Sequence, residues 1–233
     1  MSEIKSGKPT GLIRSGADRK KFLLKSNIVL LLALSMMIFI IPVVPIKDSQ
    51  LTKVLLGIVV VSGLFAADFS KTAFRALFTF GTLVIIVTLL NLVLHDSRVL
   101  SIITFALNML FFIMVTIALV THVASAKEVY SSTLLCAVNS YLLIGFTLSL
   151  LFLIMHIFSP GSFSQVDSGD GGFSYFIYYG FVTLTTLGYG DIIPHTAAAR
   201  SLSTFTALFG QLYLVIIMAL IIGKYLSGKK SAE

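Results

Sequence analysis

Six long apolar segments, separated by polar connections, dominate the pattern of this chain. They cover residues 28–46, 54–69, 74–94, 100–124, 134–158 and 202–226. A helix needs about 20 apolar residues to cross a hydrocarbon layer about 30 Å thick. The pattern therefore predicts an all-α membrane protein with six transmembrane helices, the second of which is short for a span. Because the connections between the first five segments are brief, neighbouring helices should run antiparallel.

The composition supports a membrane protein and argues against an enzyme. Of the 233 residues, 57% are hydrophobic and 12% are charged, with a mean hydropathy of +0.99. A soluble domain of this length could not cover so much apolar surface with polar residues. Cys136 is the single cysteine, so no disulfide forms within the chain. The sequence contains no metal-ligand cluster, paired carboxylates or nucleophile–base set, and we expect neither catalysis nor an organic cofactor.

The basic residues indicate how the chain is oriented in the membrane. Thirteen of the 17 Lys and Arg residues lie before the first span, in the turn at 71–75, at Lys127 or in the C-terminal tail. Basic connections stay in the cytoplasm, so we expect a multi-pass protein of the cell inner (plasma) membrane with both termini cytoplasmic. Charge concentrated at one side of a bilayer also argues against a nucleic-acid partner. The remaining four basic residues fall on the other side: Lys47, Lys53, Arg98 and Arg200.

One stretch between the last two spans cannot be a regular transmembrane helix. Residues 173–186 are apolar and aromatic but too short to cross a bilayer, which predicts a re-entrant half-helix. The following TLGYGD (186–191) contains two glycines, which adopt backbone angles that other residues resist. Extended backbone at membrane depth is tolerated only against protein or a water-filled cavity. Inward-pointing carbonyls in such a place could replace the water around a cation.

The TLGYG sequence resembles the selectivity filter of potassium channels, whose usual form is TVGYG. The wider block YFIYYGFVTLTTLGYGDIIP resembles the pore loops of bacterial and voltage-gated potassium channels. The resemblance implies that the Thr186 hydroxyl serves the innermost ion site. It implies that Tyr189 points away from the ions and braces the filter against neighbouring pore helices. Leu187 replaces the commoner valine, and we expect only a packing adjustment. The implied K⁺-binding filter comprises Thr186, Leu187, Gly188, Tyr189 and Gly190.

The resemblance also implies a support for the filter and an assembly of four chains. Asp191 follows the filter, and in the family this aspartate bonds to an aromatic residue thirteen positions earlier. Here that residue is Tyr178, so a hydroxyl replaces the usual indole N–H. One chain supplies one filter strand, whereas a ring of carbonyls needs four. We therefore expect a homotetramer, in which the half-helix directs its negative C-terminal end toward the cavity.

The last span has candidate cavity and gate residues. Gly210 lies twenty residues after Gly190, where relatives often have a hinge glycine; close helix packing by a small residue is the alternative. By the same resemblance, Gln211, Leu214 and Met218 face the cavity. A polar glutamine within a span favours a cavity over lipid. A narrowing near residues 222 and 226 could gate the pore by dewetting.

The fourth span lacks the charges that a voltage sensor needs. Voltage-gated relatives have arginines at every third residue there, but residues 101–125 contain no Lys or Arg. One charge crossing the membrane contributes about 2.3 kcal/mol per 100 mV, so we expect weak or no voltage dependence.

The domain organisation predicted is a basic tail (1–27), a voltage-sensor-like domain without gating charges (28–126), a pore domain (127–226) and a short tail (227–233). Because few residues follow the last span, we expect no dedicated ligand-binding domain.

The sequence is compatible with three functions. The leading interpretation is a channel that conducts K⁺ passively. The first alternative is a non-conducting regulatory subunit with a channel-like fold. A carrier is the second, although carriers tend to have paired broken helices.

Asn91, Asn108 and Asn139 are expected to bond between helices. Asp68 with Lys71 and Arg75 could form an ion pair or a snorkelling interfacial cluster.

Overall fold

The structure, a computed structural model, describes residues 16–40, 49–66, 71–94, 98–126, 129–164 and 172–230. These residues form seven helices and no strand. The helices are α1 (Gly16–Phe39), α2 (Ser49–Leu64), α3 (Lys71–Val93), α4 (Arg98–Ser125), α5 (Ser131–Phe158), α6 (Phe173–Leu184) and α7 (Ala197–Lys230).

Five of these helices are long and apolar enough to cross a membrane: α1, α3, α4, α5 and α7. The prediction of an all-helical, multi-pass membrane protein is confirmed to this extent. The predicted second span corresponds to α2, which has only 16 residues and falls short of the required length. The predicted half-helix corresponds to α6, which has 12 residues.

Several predicted boundaries were wrong. The first helix begins at Gly16 rather than at residue 28, inside the basic tail, because Lys and Arg are good helix formers although they are not apolar. It ends at Phe39, whereas the predicted end at residue 46 lies outside the described residues. The last helix begins at Ala197 rather than at residue 202, because three successive alanines extend it.

Contacts at the helix ends show that α1 begins, and α7 ends, on the same side of the helix bundle. The Phe22 ring in α1 lies 6.2 Å from that of Phe65, just after α2, which lies 6.2 Å from that of Phe74 in α3. At the opposite end, Asn91 Nδ2 of α3 donates to Thr104 Oγ1 of α4 over 3.1 Å. The end of α4 therefore lies beside the start of α3. There Lys224 of α7 donates to main-chain carbonyls in the last turn of α4, those of Val123 (2.7 Å) and Ala124 (2.6 Å).

Helix α5 joins the first four helices to the rest of the chain. Asn139 Nδ2 in α5 donates to the carbonyl oxygen (2.9 Å) and to Oδ1 (3.0 Å) of Asn27 in α1. Asn27 Nδ2 in turn donates to the Ala66 carbonyl over 2.6 Å. Asn108 in α4 donates to Thr88 Oγ1 in α3 at 3.5 Å. The expectation that Asn91, Asn108 and Asn139 bond between helices is confirmed.

The connection between α4 and α5 is too short to reach a distant neighbour. Helix α4 ends at Ser125 and α5 begins at Ser131. Five intervening residues span at most about 18 Å when fully extended. Helix α4 consequently packs along α5 of its own chain.

Candidate functional site

Helix α6 and the segment after it enter and leave the helix bundle on one side. The ring of Phe173, the first residue of α6, lies 6.0 Å from that of Phe105, near the start of α4. The chain returns at Pro194, which forms an isolated antiparallel bridge with Phe163. Phe163 lies just beyond the end of α5, on the same side as the start of α4. The segment thus starts and ends on the same side of the helix bundle, as a re-entrant segment would.

The backbone of residues 186–190 alternates in handedness. The φ angles of Thr186, Gly188 and Gly190 are +59°, +56° and +78°, whereas Leu187 and Tyr189 lie outside the positive-φ region. In an ordinary extended chain, successive residues face opposite sides. Alternating the sign of φ rotates every second peptide plane, so that successive carbonyls can share one side. Thr186 is β-branched, and holding it at positive φ stores strain of the kind that collects at functional sites.

The amides and the carbonyls of this segment have different partners. The amides of Thr186, Leu187 and Gly188 donate to carbonyls in the last turn of α6, over distances of 3.0 to 3.3 Å. By contrast, the carbonyls of 186–190 accept no hydrogen bond from any described residue, and all five residues are exposed. Backbone carbonyls at membrane depth require a partner. The segment therefore presents a row of oxygen acceptors that the described residues leave unpaired.

A short hydrogen bond supports the outer end of this row. The Tyr178 hydroxyl in α6 donates to Asp191 Oδ2 over 2.5 Å, and the main-chain N–H of Ile192 donates to Asp191 Oδ1 over 3.1 Å. The bond to the Asp191 carboxylate raises the pKa of Tyr178 to about 12, because that bond is made only by the neutral phenol. Tyr178 therefore remains a donor at neutral pH. The structure thus brings together the two residues that the resemblance paired.

A second support was missed by the sequence reasoning. Residues 162–164, just after α5, pair with residues 193–195, just after the filter. The Ser164 N–H donates to the Ile193 carbonyl (2.9 Å), and the His195 N–H donates to the Ser162 carbonyl (2.8 Å). The Tyr175 hydroxyl of α6 donates to the Ser164 carbonyl over 2.6 Å. The one sequence signal for this clamp is the Pro160-Gly161 turn, in which Gly161 has a φ of +86°.

Aromatic rings fix α6 against α5 behind these hydrogen bonds. The Phe152 ring of α5 lies 4.8 Å from that of Tyr179 and 5.7 Å from that of Phe163. Phe163 also contacts Phe176 of α6 at 5.5 Å, and each of these pairs is edge-to-face. Such edge-to-face pairs stabilise packing beyond the area that they bury. They hold α6 against α5 beside the segment 186–190.

The first residue of the segment 186–190 contacts α7. Gln211 Nε2 donates to Thr186 Oγ1 over 3.3 Å. One residue earlier, Gly210 lies so close to the Leu184 carbonyl oxygen that any Cβ would overlap it. Of the two interpretations left open for Gly210, close packing matches this contact. Its role as a hinge stays a prediction, and α7 is helical through this position.

The cavity and gate candidates lie on exposed parts of α7 within the single chain. Leu214 and Met218 follow Gln211 at spacings of three and seven residues, which places all three on one helix face. Two large side chains of the segment 186–190 are also exposed: the exposed fraction is 55% for the apolar Leu187 and 68% for the aromatic Tyr189. Exposed apolar surface of this kind, next to unpaired carbonyls, is typical of a contact surface. The gate candidates Ile222 and Leu226 are exposed as well.

The predicted interfacial cluster falls partly outside what the structure describes. Asp68 lies outside the described residues, and of Lys71 only the main chain is described. Arg75 is exposed in the first turns of α3. In the described ranges, no group of three or more His, Cys, Asp or Glu side chains could hold a metal ion.

The comparison with protein families identifies the segment that contains this site. Residues 141–227 match the model of a family described as "Ion channel". The match begins within α5, includes α6 and the segment 186–191, and ends within α7. It confirms the resemblance to the pore-loop family over these residues. No curated protein and no solved structure matches the chain.

Proposed function

We propose that this multi-pass membrane protein is a K⁺-selective channel that conducts passively, and that residues 141–227, which match the "Ion channel" family, are its pore domain. The observation that carries the proposal is the backbone of residues 186–190. Its φ angles alternate in sign, its amides are bonded to α6, and its carbonyls are unpaired. Such carbonyls can replace the hydration shell of a dehydrated cation at little reorganisation cost.

The electrostatics of the pore segment favour a cation. Helix α6 ends at Leu184, directly before the filter, so that the negative end of its dipole points toward the inner cavity. Asp191 adds a carboxylate at the outer end. No Lys or Arg lies between residues 128 and 199. A K⁺ ion would therefore meet main-chain oxygens and partial negative charge along this segment.

The filter needs several copies of the chain to be complete. One chain offers carbonyls on one side of an ion, whereas a dehydrated ion needs oxygens on all sides. We propose a homotetramer in which four 186–190 segments surround an axis. The exposed faces of Leu187 and Tyr189 would then be covered by neighbouring subunits. Gln211, Leu214 and Met218 would line the cavity below the filter.

Ion flux into vesicles tests this proposal. The purified protein is reconstituted into liposomes with K⁺ or Na⁺ gradients, and the membrane potential is followed with a dye. We expect a passive flux that is much larger for K⁺ than for Na⁺. Absence of flux from folded, correctly assembled protein would favour the regulatory-subunit alternative. Saturable flux coupled to a second solute would favour a carrier.

A further inference from the structure

A large apolar groove lies on the first three helices, away from the pore segment. Its volume is about 700 Å³, which is the size of pockets that bury a ligand. It runs along α2 from Phe65 at one end to Lys53 at the other. Helix α1 lines the groove at the Phe65 end, and helix α3 lines it at the Lys53 end. The opposite face of α2 packs on α4, because Gly63 contacts Phe111 and Val115 there. The groove therefore opens toward the surroundings of the bundle.

The wall of the groove is apolar even where polar residues line it. The Ser62 hydroxyl donates to the Ile58 and Val59 carbonyls within its own helix (2.9 and 3.1 Å). The Thr88 hydroxyl likewise donates to the Val84 carbonyl (2.8 Å). Neither hydroxyl donates a hydrogen bond into the groove. The middle of the groove consequently suits an acyl chain rather than a polar ligand.

Lysines line both ends of the groove, but Lys53 is buried and donates to the Asn91 carbonyl (3.3 Å), so the accessible positive charge lies at the end where α1 lines the groove. Lys25 lines the groove, and Lys21 lies one turn before it on the same face of α1. Neither ammonium has a hydrogen-bond or ion-pair partner among the described residues. Phe22, Phe65 and Phe74 join the ends of α1, α2 and α3 beside these lysines, so this mouth is held in shape. Both lysines lie at the side where α1 begins, which the basic residues of the chain mark as cytoplasmic.

We propose that this groove binds one anionic phospholipid of the cytoplasmic leaflet. Its acyl chain would lie along α2, and its phosphate would contact Lys25, with Lys21 adding to the attraction. Basic pockets between membrane helices on the cytoplasmic side bind acidic headgroups, and each such lysine strengthens binding about fivefold. Because the groove and the filter lie in different parts of the chain, this proposal does not depend on ion selectivity.

A tryptophan reporter tests the proposal, since the chain contains no tryptophan. Ile58→Trp places the reporter in the groove, and Leu83→Trp places a control on an exposed face of α3 outside it. Each protein is reconstituted with phosphatidylglycerol or phosphatidylcholine that has brominated acyl chains, diluted in unbrominated phosphatidylcholine. Bromine quenches an adjacent indole. We expect brominated phosphatidylglycerol to bind at the groove reporter at least fivefold more tightly than brominated phosphatidylcholine, and no preference at the control.

Two further variants separate the charge from the shape of the groove. Lys25→Gln should reduce the preference at the Ile58→Trp reporter about fivefold, whereas Arg75→Gln, at the same membrane side but outside the groove, should leave it unchanged. Gly57→Phe should abolish quenching by the bound lipid. A Cβ at Gly57 meets nothing within 4 Å, so the larger side chain fills the groove without displacing protein. Equal quenching by the two lipids, or a preference that survives Lys25→Gln, would overturn the proposal.

Discussion

The two parts of this chain, α1–α4 and α5–α7, are both built from apolar helices but use their polar groups in opposite ways. In α1–α4, buried side chains such as Asn91 and Thr104 bond to each other, and Thr104 also bonds to a carbonyl of its own helix. In α5–α7, side chains such as Tyr178 hold a main-chain segment in place, while the carbonyls of that segment accept no hydrogen bond from the described residues. Polar groups that are satisfied internally stabilise a fold. Polar groups that are held rigid and left unsatisfied are available to a ligand.

The largest effect should follow from a change to the filter backbone. Gly190→Ala places a Cβ at a φ of +78°, an angle that side-chain-bearing residues resist, although no atom lies within 4 Å of that Cβ. We expect the K⁺/Na⁺ permeability ratio, measured as a reversal potential, to fall more than tenfold. Gly223→Ala is the matched control, because its Cβ also meets open space but lies in the regular helix α7. Equal selectivity of the two variants would contradict the role of the filter backbone.

A change in the polar contacts of α1 should affect stability and not selectivity. Asn27→Ala leaves the Ala66 carbonyl and one hydrogen bond of Asn139 without their partner in a buried site. Leaving buried polar groups unpaired costs about 1–3 kcal/mol. We expect a lower midpoint of thermal unfolding in detergent and an unchanged reversal potential. A loss of selectivity here would mean that the two parts of the chain are not separate in function.

Removing the support of the filter should have a smaller effect. Tyr178→Phe deletes the hydroxyl that donates to Asp191 but keeps the ring that packs against the buried apolar cluster. Tyr178 and Asp191 are solvent-accessible, so water can replace part of the lost bond. We expect a reduction in selectivity of less than tenfold and a conductance that declines faster during recording. Tyr225→Phe, on an exposed part of α7, should change neither; a tenfold or larger loss would mean that this single bond holds the filter.

The smallest effect is predicted for voltage. Helix α4 contains no Lys or Arg after Arg98, its first residue, so a change in potential has no charge to move through the membrane there. We expect the open probability, measured by single-channel recording from about −100 to about +100 mV, to change little. Each charge that moved across the membrane would contribute about 2.3 kcal/mol per 100 mV to opening, and α4 supplies no such charge after its first residue. A steep sigmoidal dependence would show that a charge elsewhere moves in the field.

The sequence predicted the backbone of residues 186–191 better than the contacts that support it. The signals for this segment are local. The positive φ angles at Gly188 and Gly190 favour glycine, and Asp191 bonds to Tyr178 in the adjacent helix α6. The clamp between Ser164 and Ile193 joins two loops 29 residues apart and leaves no periodic pattern. Residue type alone would likewise assign Lys224 to the membrane interface, whereas its ammonium bonds to the last carbonyls of α4.

Helix boundaries were predicted poorly where hydropathy and helix propensity disagree. Arg19, Lys20 and Lys21 are charged but favour a helix, and α1 extends through them. The same holds for the alanines that begin α7. The groove along α2 could not be predicted, because it results from the angles at which three helices pack. The family resemblance covers none of these three helices.

The position of ions relative to the filter tests the central claim most directly. The protein is crystallised or imaged with Rb⁺ or Tl⁺ in place of K⁺, and the heavy ion is located from its scattering. We predict ion density on a four-fold axis, at successive levels between the carbonyl oxygens of Thr186, Leu187, Gly188 and Tyr189 from four chains. Ion density elsewhere, or carbonyls of 186–189 that face away from any symmetry axis, would contradict it.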